Sequence, residues 1–240
     1  SDNVDARLRR AEFVACEGVQ WLGTSIASLS TLQRVLVVGA NLRKDHPLFA
    51  LRVRHAVRHG AQLSAIASGT QLPKADAWAM PVAHSVVTDA SGWAQALADV
   101  AAAVAAEKNV AAPAAGNASP QAKAIAQSLL SGERKAVLLG NGAAHHAHAS
   151  SLLALANWIG EQTGASVGYL TEAANTVGVQ WAMAQPQSGG KNAAQMLDGS
   201  LKAALLLNTE PEFDTAAGAA AVAALDKAAQ SHACDNARRL

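Results

Sequence analysis

Three short apolar runs share one pattern along the chain and predict buried strands. They occupy residues 35–38, 136–139 and 204–207. None of them alternates apolar with polar positions, which is typical of a strand buried on both faces of a parallel sheet. Each run ends in Gly or Asn, residues that tolerate the turns at the carboxyl ends of strands. Open α/β sheets bind their ligands at these ends, so the pattern also indicates where a site is expected.

The spacing of apolar residues between these runs predicts helices that connect parallel strands. After Pro47, apolar side chains recur every four residues at Phe49, Val53 and Val57, and Gly60 is expected to follow the end of that helix. The first βαβ unit then closes with a strand at 62–67, and a weaker strand is expected at 82–88. A second unit runs from strand 136–139 through a helix to a strand at 166–170. The predicted fold class is therefore α/β, with Rossmann-like parallel sheets flanked by helices.

Residues 109–120 are rich in Ala, Pro, Gly and Asn and predict a linker. They divide the chain into a first α/β lobe, 1–110, and a second α/β lobe, 120–240. Residues 230–240 have no clear pattern, and no strand is expected there.

Composition narrows the classes of function. The chain has 240 residues, 50% of them hydrophobic and 15% charged, which favours a packed core over disorder. A net charge of +1 creates no overall field for nucleic acid, and no apolar run approaches the ~20 residues that span a bilayer. Cys16 and Cys234 are the only cysteines, so the chain alone cannot supply the four thiolates of an iron–sulfur cluster. Because Ser1 is not an initiator methionine, we expect the numbering to begin inside a longer protein.

The loop at Gly140, Asn141 and Gly142 opens like a dinucleotide fingerprint, but His145 stands where the third glycine belongs. Two interpretations stay open for this loop. It could form a backbone cradle for a phosphate or a pterin, or it could be a tight turn between a strand and a helix.

His145, His146 and His148 raise the question of a metal. His145 and His148 could share one helix face, with Glu161 as a further ligand, but no His-Glu-x-x-His pattern is present. The alternative is a solvated loop and first helical turn, and no metal site is predicted. The remaining histidines considered, His46, His55, His59 and His84, are expected at surface or capping positions.

A basic cluster follows the first strand. It could hold a phosphate or an acidic partner surface, or it could be the solvated face of a helix. The cluster consists of Arg43, Lys44, Arg52, Arg54 and Arg58. No catalytic residue is predicted, because no Gly-x-Ser-x-Gly elbow is present and neither cysteine lies in a recognisable one.

Four strings, in order along residues 10–225, resemble the large iron–sulfur subunit of bacterial NADH-quinone oxidoreductase, in its molybdopterin-oxidoreductase-like region. They are VLVVGANLRKDHPL from residue 35, GNGAAHH from 140, TGASVGYLTEAANTVG from 163 and LLLNTEPEFD from 205.

This resemblance implies a non-catalytic scaffold in the peripheral arm of respiratory complex I, on the cytoplasmic side of the bacterial inner membrane. The implied partners are other segments of the same large subunit and neighbouring peripheral-arm subunits. No cofactor is implied in this part of the chain, and iron–sulfur clusters are expected elsewhere in the full subunit. The loops of the former cofactor cleft would be vestigial, and their residues here are Gly39, Asn41, Gly140, Asn141 and Asn208. The alternative is the cofactor-binding portion of an active molybdopterin oxidoreductase such as a formate dehydrogenase. A stand-alone nucleotide-binding module is a third hypothesis.

Overall fold

The structure, a computed structural model, describes residues 19–172, 175–184, 186, 189–207, 209–227 and 230–234. Strands and helices alternate through most of this length, as the apolar spacing predicts. The strands are β1 (Arg34–Val38), β2 (Gln62–Ala67), β3 (His84–Val87), β4 (Lys135–Leu139), β5 (Ser166–Tyr169), β6 (Ala203–Leu207) and β7 (Gln230–Cys234). The helices are α1 (Leu42–Asp45), α2 (Pro47–Arg58), α3 (Trp93–Lys108), α4 (Pro120–Leu130), α5 (Asn141–Ala144), α6 (Ala149–Thr163), α7 (Thr176–Trp181), α8 (Ala193–Met196), α9 (Pro211–Asp214) and α10 (Ala219–Leu225).

Five strands form the main sheet in the order β3-β2-β1-β4-β5, and every neighbouring pair is parallel. β1 lies at the centre, where Val38 pairs with Ile66 of β2 and with Leu139 of β4. The predicted α/β fold with a parallel sheet is confirmed.

Helices cover both faces of this sheet because alternate residues of its strands point in opposite directions. Leu36 and Val38 pack into the core on one face, where α3 contacts α4 and α6. Val35 and Val37 pack into the core on the other face, which is covered by α2, a 3-10 turn at Ala27–Thr31 and residues 72–82. Since both faces of β1 are buried, its apolar run shows no alternation.

The segment at 109–120, predicted as the linker between lobes 1–110 and 120–240, connects α3 to α4. Asn109 ends α3 in the left-handed conformation, and the side chain of Ser119 accepts a hydrogen bond from the Ala122 amide at the start of α4. The strands before and after this segment pair directly, β1 with β4, in one sheet.

The third apolar run differs from its prediction. β6 does not join the main sheet but pairs in parallel with β7 in a separate two-stranded sheet. It is not buried on both faces either, since Leu205 is 75% exposed. An apolar run indicates only that a strand favours burial. Which sheet the strand joins depends on the other strands that can pair with it.

The C-terminal expectation is also wrong for residues 230–234, whereas residues 235–240 lie outside the described residues. Residues 230–234 form β7, a strand that residue pattern did not predict. The sequence Gln-Ser-His-Ala-Cys carries no apolar periodicity, and the register of Ala203 opposite Gln230 shows that backbone pairing with β6 defines this strand. Among the described residues, no helix is long and apolar enough to cross a membrane.

Candidate functional site

The order of the main sheet defines one point where its connections diverge. From β1 the chain moves to β2 on one side, and the later strand β4 lies on the other side. In open α/β sheets the crevice at such a point, outside the carboxyl ends of the strands, is where ligands bind. The loops that begin at Gly39 after β1 and at Gly140 after β4 meet here, as their sequences predict.

These two loops are joined to the sheet and to each other by backbone hydrogen bonds. The Gly140 amide donates to the Val38 carbonyl oxygen at 2.8 Å, and the Gly142 amide donates to the Gly39 carbonyl oxygen at 2.8 Å. The Gly39 amide donates to the Ile66 carbonyl oxygen at 2.8 Å. The three glycine amides are therefore engaged within the protein and do not point at a ligand as an anion cradle requires.

Trp93, at the start of α3, fills the space above the loops. It is 3% exposed, and its indole nitrogen donates to the Thr88 carbonyl oxygen at 3.3 Å. A Cβ atom placed on Gly39 would lie 2.8 Å from Cζ3 of Trp93 and 2.7 Å from the Ala143 amide nitrogen. A Cβ atom on Gly142 would lie 2.8 Å from Cη2 of the same indole. The absence of a side chain at Gly39 and Gly142 therefore allows Trp93 and α5 to pack closely against these loops.

The predicted asparagines have different roles. Asn41 is the N-cap of α1: its Oδ1 accepts a hydrogen bond from the Lys44 amide at 3.1 Å, and its amide donates to Asp45 Oδ2 at 2.8 Å. Asn141 begins α5 at the end of β4. Asn208 lies outside the described residues.

Of the surface or capping positions expected for His46, the structure shows the capping one, and the residue is buried beside Asn141. It does occupy a capping position, at the N-cap of α2, but is only 5% exposed. Its Nε2 and the Oδ1 of Asn141 are both buried without a well-formed hydrogen bond. Burial lowers the pKa of His46 below its ordinary value, against the smaller opposing effects of Asp45, Asn141 and Glu172. Burial therefore disfavours the protonated form of His46.

Glu172 is a site residue that the sequence pattern did not reveal. It follows β5 at the same edge of the sheet, and its carboxylate pairs with His145 Nε2. The Glu172 side chain is 6% exposed and that of His145 is 23% exposed. The sequence does contain a feature that indicates it, because Glu172 is the first charged residue after the predicted strand at 166–170.

His146 is also buried, in contrast to the solvated loop expected for the histidine group. Its Nδ1 accepts a hydrogen bond from the His148 amide at 2.9 Å, and its Nε2 lies 2.9 Å from the Ala90 carbonyl oxygen. In this arrangement Nδ1 acts as an acceptor and Nε2 as a donor. The ring centroids of His146 and Trp93 are 5.9 Å apart, which places the histidine at the side of the tryptophan.

The other histidines and the proposed metal ligands are dispersed. His55 and His59 are exposed, and His84 is half-buried in β3. Glu161 is exposed near the end of α6. Within the described ranges, no three His, Cys, Asp or Glu side chains lie close enough to hold a metal ion.

The resemblance to molybdopterin enzymes raises the question of whether these loops fit a pterin cofactor. A pterin dinucleotide needs open space and free backbone donors where the strands diverge. In the described part of these loops, Trp93 and α5 occupy the space, and the amides of Gly39, Gly140 and Gly142 bond to carbonyl oxygens. At this point, therefore, the amides of Gly39, Gly140 and Gly142 are not free to bind a phosphate of such a cofactor.

Comparison with known proteins agrees with the fold. The sequence matches the molybdopterin oxidoreductase family over residues 3–235. No curated protein sequence matches it significantly. Among solved structures it is similar to a chain of the formyltransferase/hydrolase complex (FhcABCD) from Methylorubrum extorquens in complex with methylofuran, with a TM-score of 0.55 and 16% identity.

That structural match covers 92% of this chain and 62% of the other, so the chain spans less than two thirds of the length of the protein that it matches. At this identity the likeness shows the fold alone. The family match, by contrast, extends over nearly the whole length of the sequence. The chain therefore belongs to the molybdopterin oxidoreductase family.

Proposed function

We propose that this member of an oxidoreductase family is a non-catalytic scaffold part of the large iron–sulfur subunit of NADH:quinone oxidoreductase. In this role it supports electron transfer from NADH to quinone in the peripheral arm of complex I without reacting itself. Family membership and the parallel sheet support the coarse assignment. The four ordered strings that resemble this large subunit support the finer one.

The single observation that carries the scaffold role is the packing of Trp93 against the two glycine loops. Hypothetical Cβ atoms on Gly39 and Gly142 both lie 2.8 Å from its indole ring. A family member that uses a pterin needs this crevice open, whereas a scaffold gains stability by burying an aromatic side chain in it.

The partners and the location follow from the same proposal. The chain contacts other segments of its own large subunit, which carry the iron–sulfur clusters, and neighbouring subunits of the peripheral arm. The assembly lies on the cytoplasmic side of the bacterial inner membrane.

The runner-up function is the cofactor-binding portion of an active molybdopterin oxidoreductase such as a formate dehydrogenase, and family membership favours it. Metal and nucleotide analysis separates the two. The chain is purified from bacteria grown with molybdate, molybdenum is measured by mass spectrometry, and guanine nucleotide is measured after acid release. A formate dehydrogenase from the same host is the positive control. We expect neither molybdenum nor guanine nucleotide at stoichiometric levels; stoichiometric amounts of both would replace the scaffold role by the enzyme role.

A second experiment tests the scaffold role within the complex. Trp93→Ala is introduced into the full-length subunit, and the amount of assembled complex is measured on native gels together with its NADH:quinone activity. We expect less assembled complex but unchanged turnover per assembled complex, because Trp93 is structural. Normal assembly with reduced turnover would contradict the proposal.

A thermal shift assay with a dinucleotide addresses the third hypothesis, a nucleotide-binding module. That hypothesis predicts a thermal stabilisation that grows with ligand concentration; we expect none.

A further inference from the structure

One side of α2 is exposed and carries apolar and basic side chains together. Leu48 is 74% exposed and Leu51 is 52% exposed. Leu51, Arg54 and Arg58 follow the helical spacing of three and four residues and therefore share this side. The opposite side of α2 is buried on the sheet. We call Arg43, Leu48, Leu51, Arg54 and Arg58 the basic α2 surface.

Positive charge is concentrated at this surface. Residues 42–59 contain five Lys or Arg residues and one Asp, whereas the whole chain has a net charge of +1. The one acid, Asp45, already accepts a hydrogen bond from the Asn41 amide at 2.8 Å. Arg43, Arg54 and Arg58 form no ion pair with any residue that the structure describes. Within the described part of the chain, these guanidinium groups therefore have no acidic partner.

A small cavity lies between two of these arginines. It has a volume of about 80 Å³ and lies between Arg43 and Arg54, with Leu51 and Trp78 in its wall. Trp78 is 1% exposed, and its indole nitrogen donates to the Gln71 carbonyl oxygen at 2.9 Å, so this wall is fixed in position. Because a water molecule takes ~30 Å³, the cavity has room for a small aliphatic side chain.

We propose that the basic α2 surface binds an acidic partner protein. Carboxylates of the partner pair with Arg43, Arg54 and Arg58, and an apolar side chain between them enters the cavity beside Trp78. Arginine binds carboxylates through two parallel hydrogen bonds and is enriched at protein interfaces. An apolar anchor in a pocket, surrounded by charged contacts, is the usual arrangement of an interface hot spot.

Charge complementarity selects this occupant over others. Exposed leucines beside unpaired arginines match a protein surface that has both carboxylates and an apolar anchor. A single-stranded nucleic acid would instead need exposed aromatic side chains on which its bases stack, and Trp78 is buried. The inference goes beyond the scaffold role, because it rests on the charge and exposure of α2 and not on the state of the crevice.

Peptide libraries test the proposal on the whole chain. One library has short peptides in which a single variable residue is flanked by glutamates, and a matched library has lysines in place of the glutamates. We expect enrichment of the glutamate library, strongest for aliphatic residues at the variable position. The best peptide should shift the indole N–H signal of Trp78 in NMR spectra, and its binding should weaken at least tenfold as salt is raised from about 50 to about 500 mM.

Charge reversal locates the site. Arg54→Glu and Arg58→Glu are each expected to weaken the binding of the best peptide at least tenfold. Arg58 is exposed, so its variant is expected to keep the fold. Lys123→Glu is the matched control, since this exposed lysine lies on α4 at the opposite face of the sheet, and it should leave the affinity unchanged. Circular dichroism confirms that each variant is folded.

Three outcomes overturn the proposal. They are no preference for the glutamate library, equal weakening by Lys123→Glu, and binding of inorganic phosphate or a DNA oligonucleotide to the same residues at least as tightly as the best peptide. The last outcome would assign the surface to phosphate groups instead of an acidic protein.

Discussion

Gly39 offers the most direct test of what the crevice between β1 and β4 contains. Its φ angle is +66°, and an added Cβ would lie 2.7 Å from the Ala143 amide nitrogen and 2.8 Å from Trp93 Cζ3. Gly39→Ala therefore introduces two unfavourable effects, a strained backbone and a steric clash. Gly164, at the end of α6, has a similar φ angle of +74° but no atom within 4 Å of an added Cβ. Gly164→Ala introduces the backbone strain alone.

The difference between these two variants isolates the clash. A non-glycine residue in the left-handed region costs about 1–2 kcal/mol, and overpacking a filled site costs about 1–3 kcal/mol. Gly39→Ala should therefore lower the free energy of unfolding by about 2–5 kcal/mol. Gly164→Ala should lower it by about 1–2 kcal/mol. Each Gly→Ala substitution also reduces the conformational entropy of the unfolded chain. This effect is the same for both substitutions, so it cancels in the difference between the two variants.

Urea unfolding followed by far-ultraviolet circular dichroism measures both variants, and equal slopes against urea show that the same surface is exposed on unfolding. If Gly39 is present to allow the approach of a cofactor, nothing blocks the new methyl group in the purified chain. The two variants would then be destabilised equally, and that result would refute the packing assigned to Trp93.

Three further predictions concern residues around the crevice. Trp93→Ala should destabilise the chain by about 3–5 kcal/mol, whereas Trp181→Ala, at a side chain 76% exposed, should change its stability by less than about 0.5 kcal/mol in the same assay. Burial lowers the pKa of His46 below its ordinary 6.5, so the folded chain binds fewer protons than the unfolded chain and loses stability as pH falls through that value. When the free energy of unfolding is measured across this pH range, His46→Gln should lose less stability than the unmodified chain. An unchanged loss would exclude His46 as its source. His145→Ala should lower the free energy of unfolding by about 1–3 kcal/mol because it removes a partner of the buried Glu172 carboxylate. In a double-mutant cycle with Glu172→Gln, the double variant should lose less stability than the sum of the two single effects. Strict additivity would show that the pair does not interact.

Local residue pattern was sufficient to predict the central part of the fold. β1, β2 and β4 lie within one residue of the predicted runs, and the loops at Gly39 and Gly140 meet at the carboxyl edge of the sheet. The reason is that a strand buried on both faces must be apolar at every position, which leaves a continuous signal in the sequence. The basic character of α2 is likewise evident from the sequence, because charged side chains at helical spacing require no distant partner.

Tertiary structure alone decided which sheet β6 joins, and it also placed His46 and His146 in the interior. The partners responsible are remote in sequence: β6 pairs with β7, and His146 lies 2.9 Å from the carbonyl oxygen of Ala90. Whether the crevice is open or filled depends on Trp93. This residue lies more than 40 residues from Gly142 along the chain and approaches it only when α3 packs on the sheet. Sequence pattern reports what each segment favours by itself, whereas burial, pairing and the contents of a crevice depend on segments that only folding brings together.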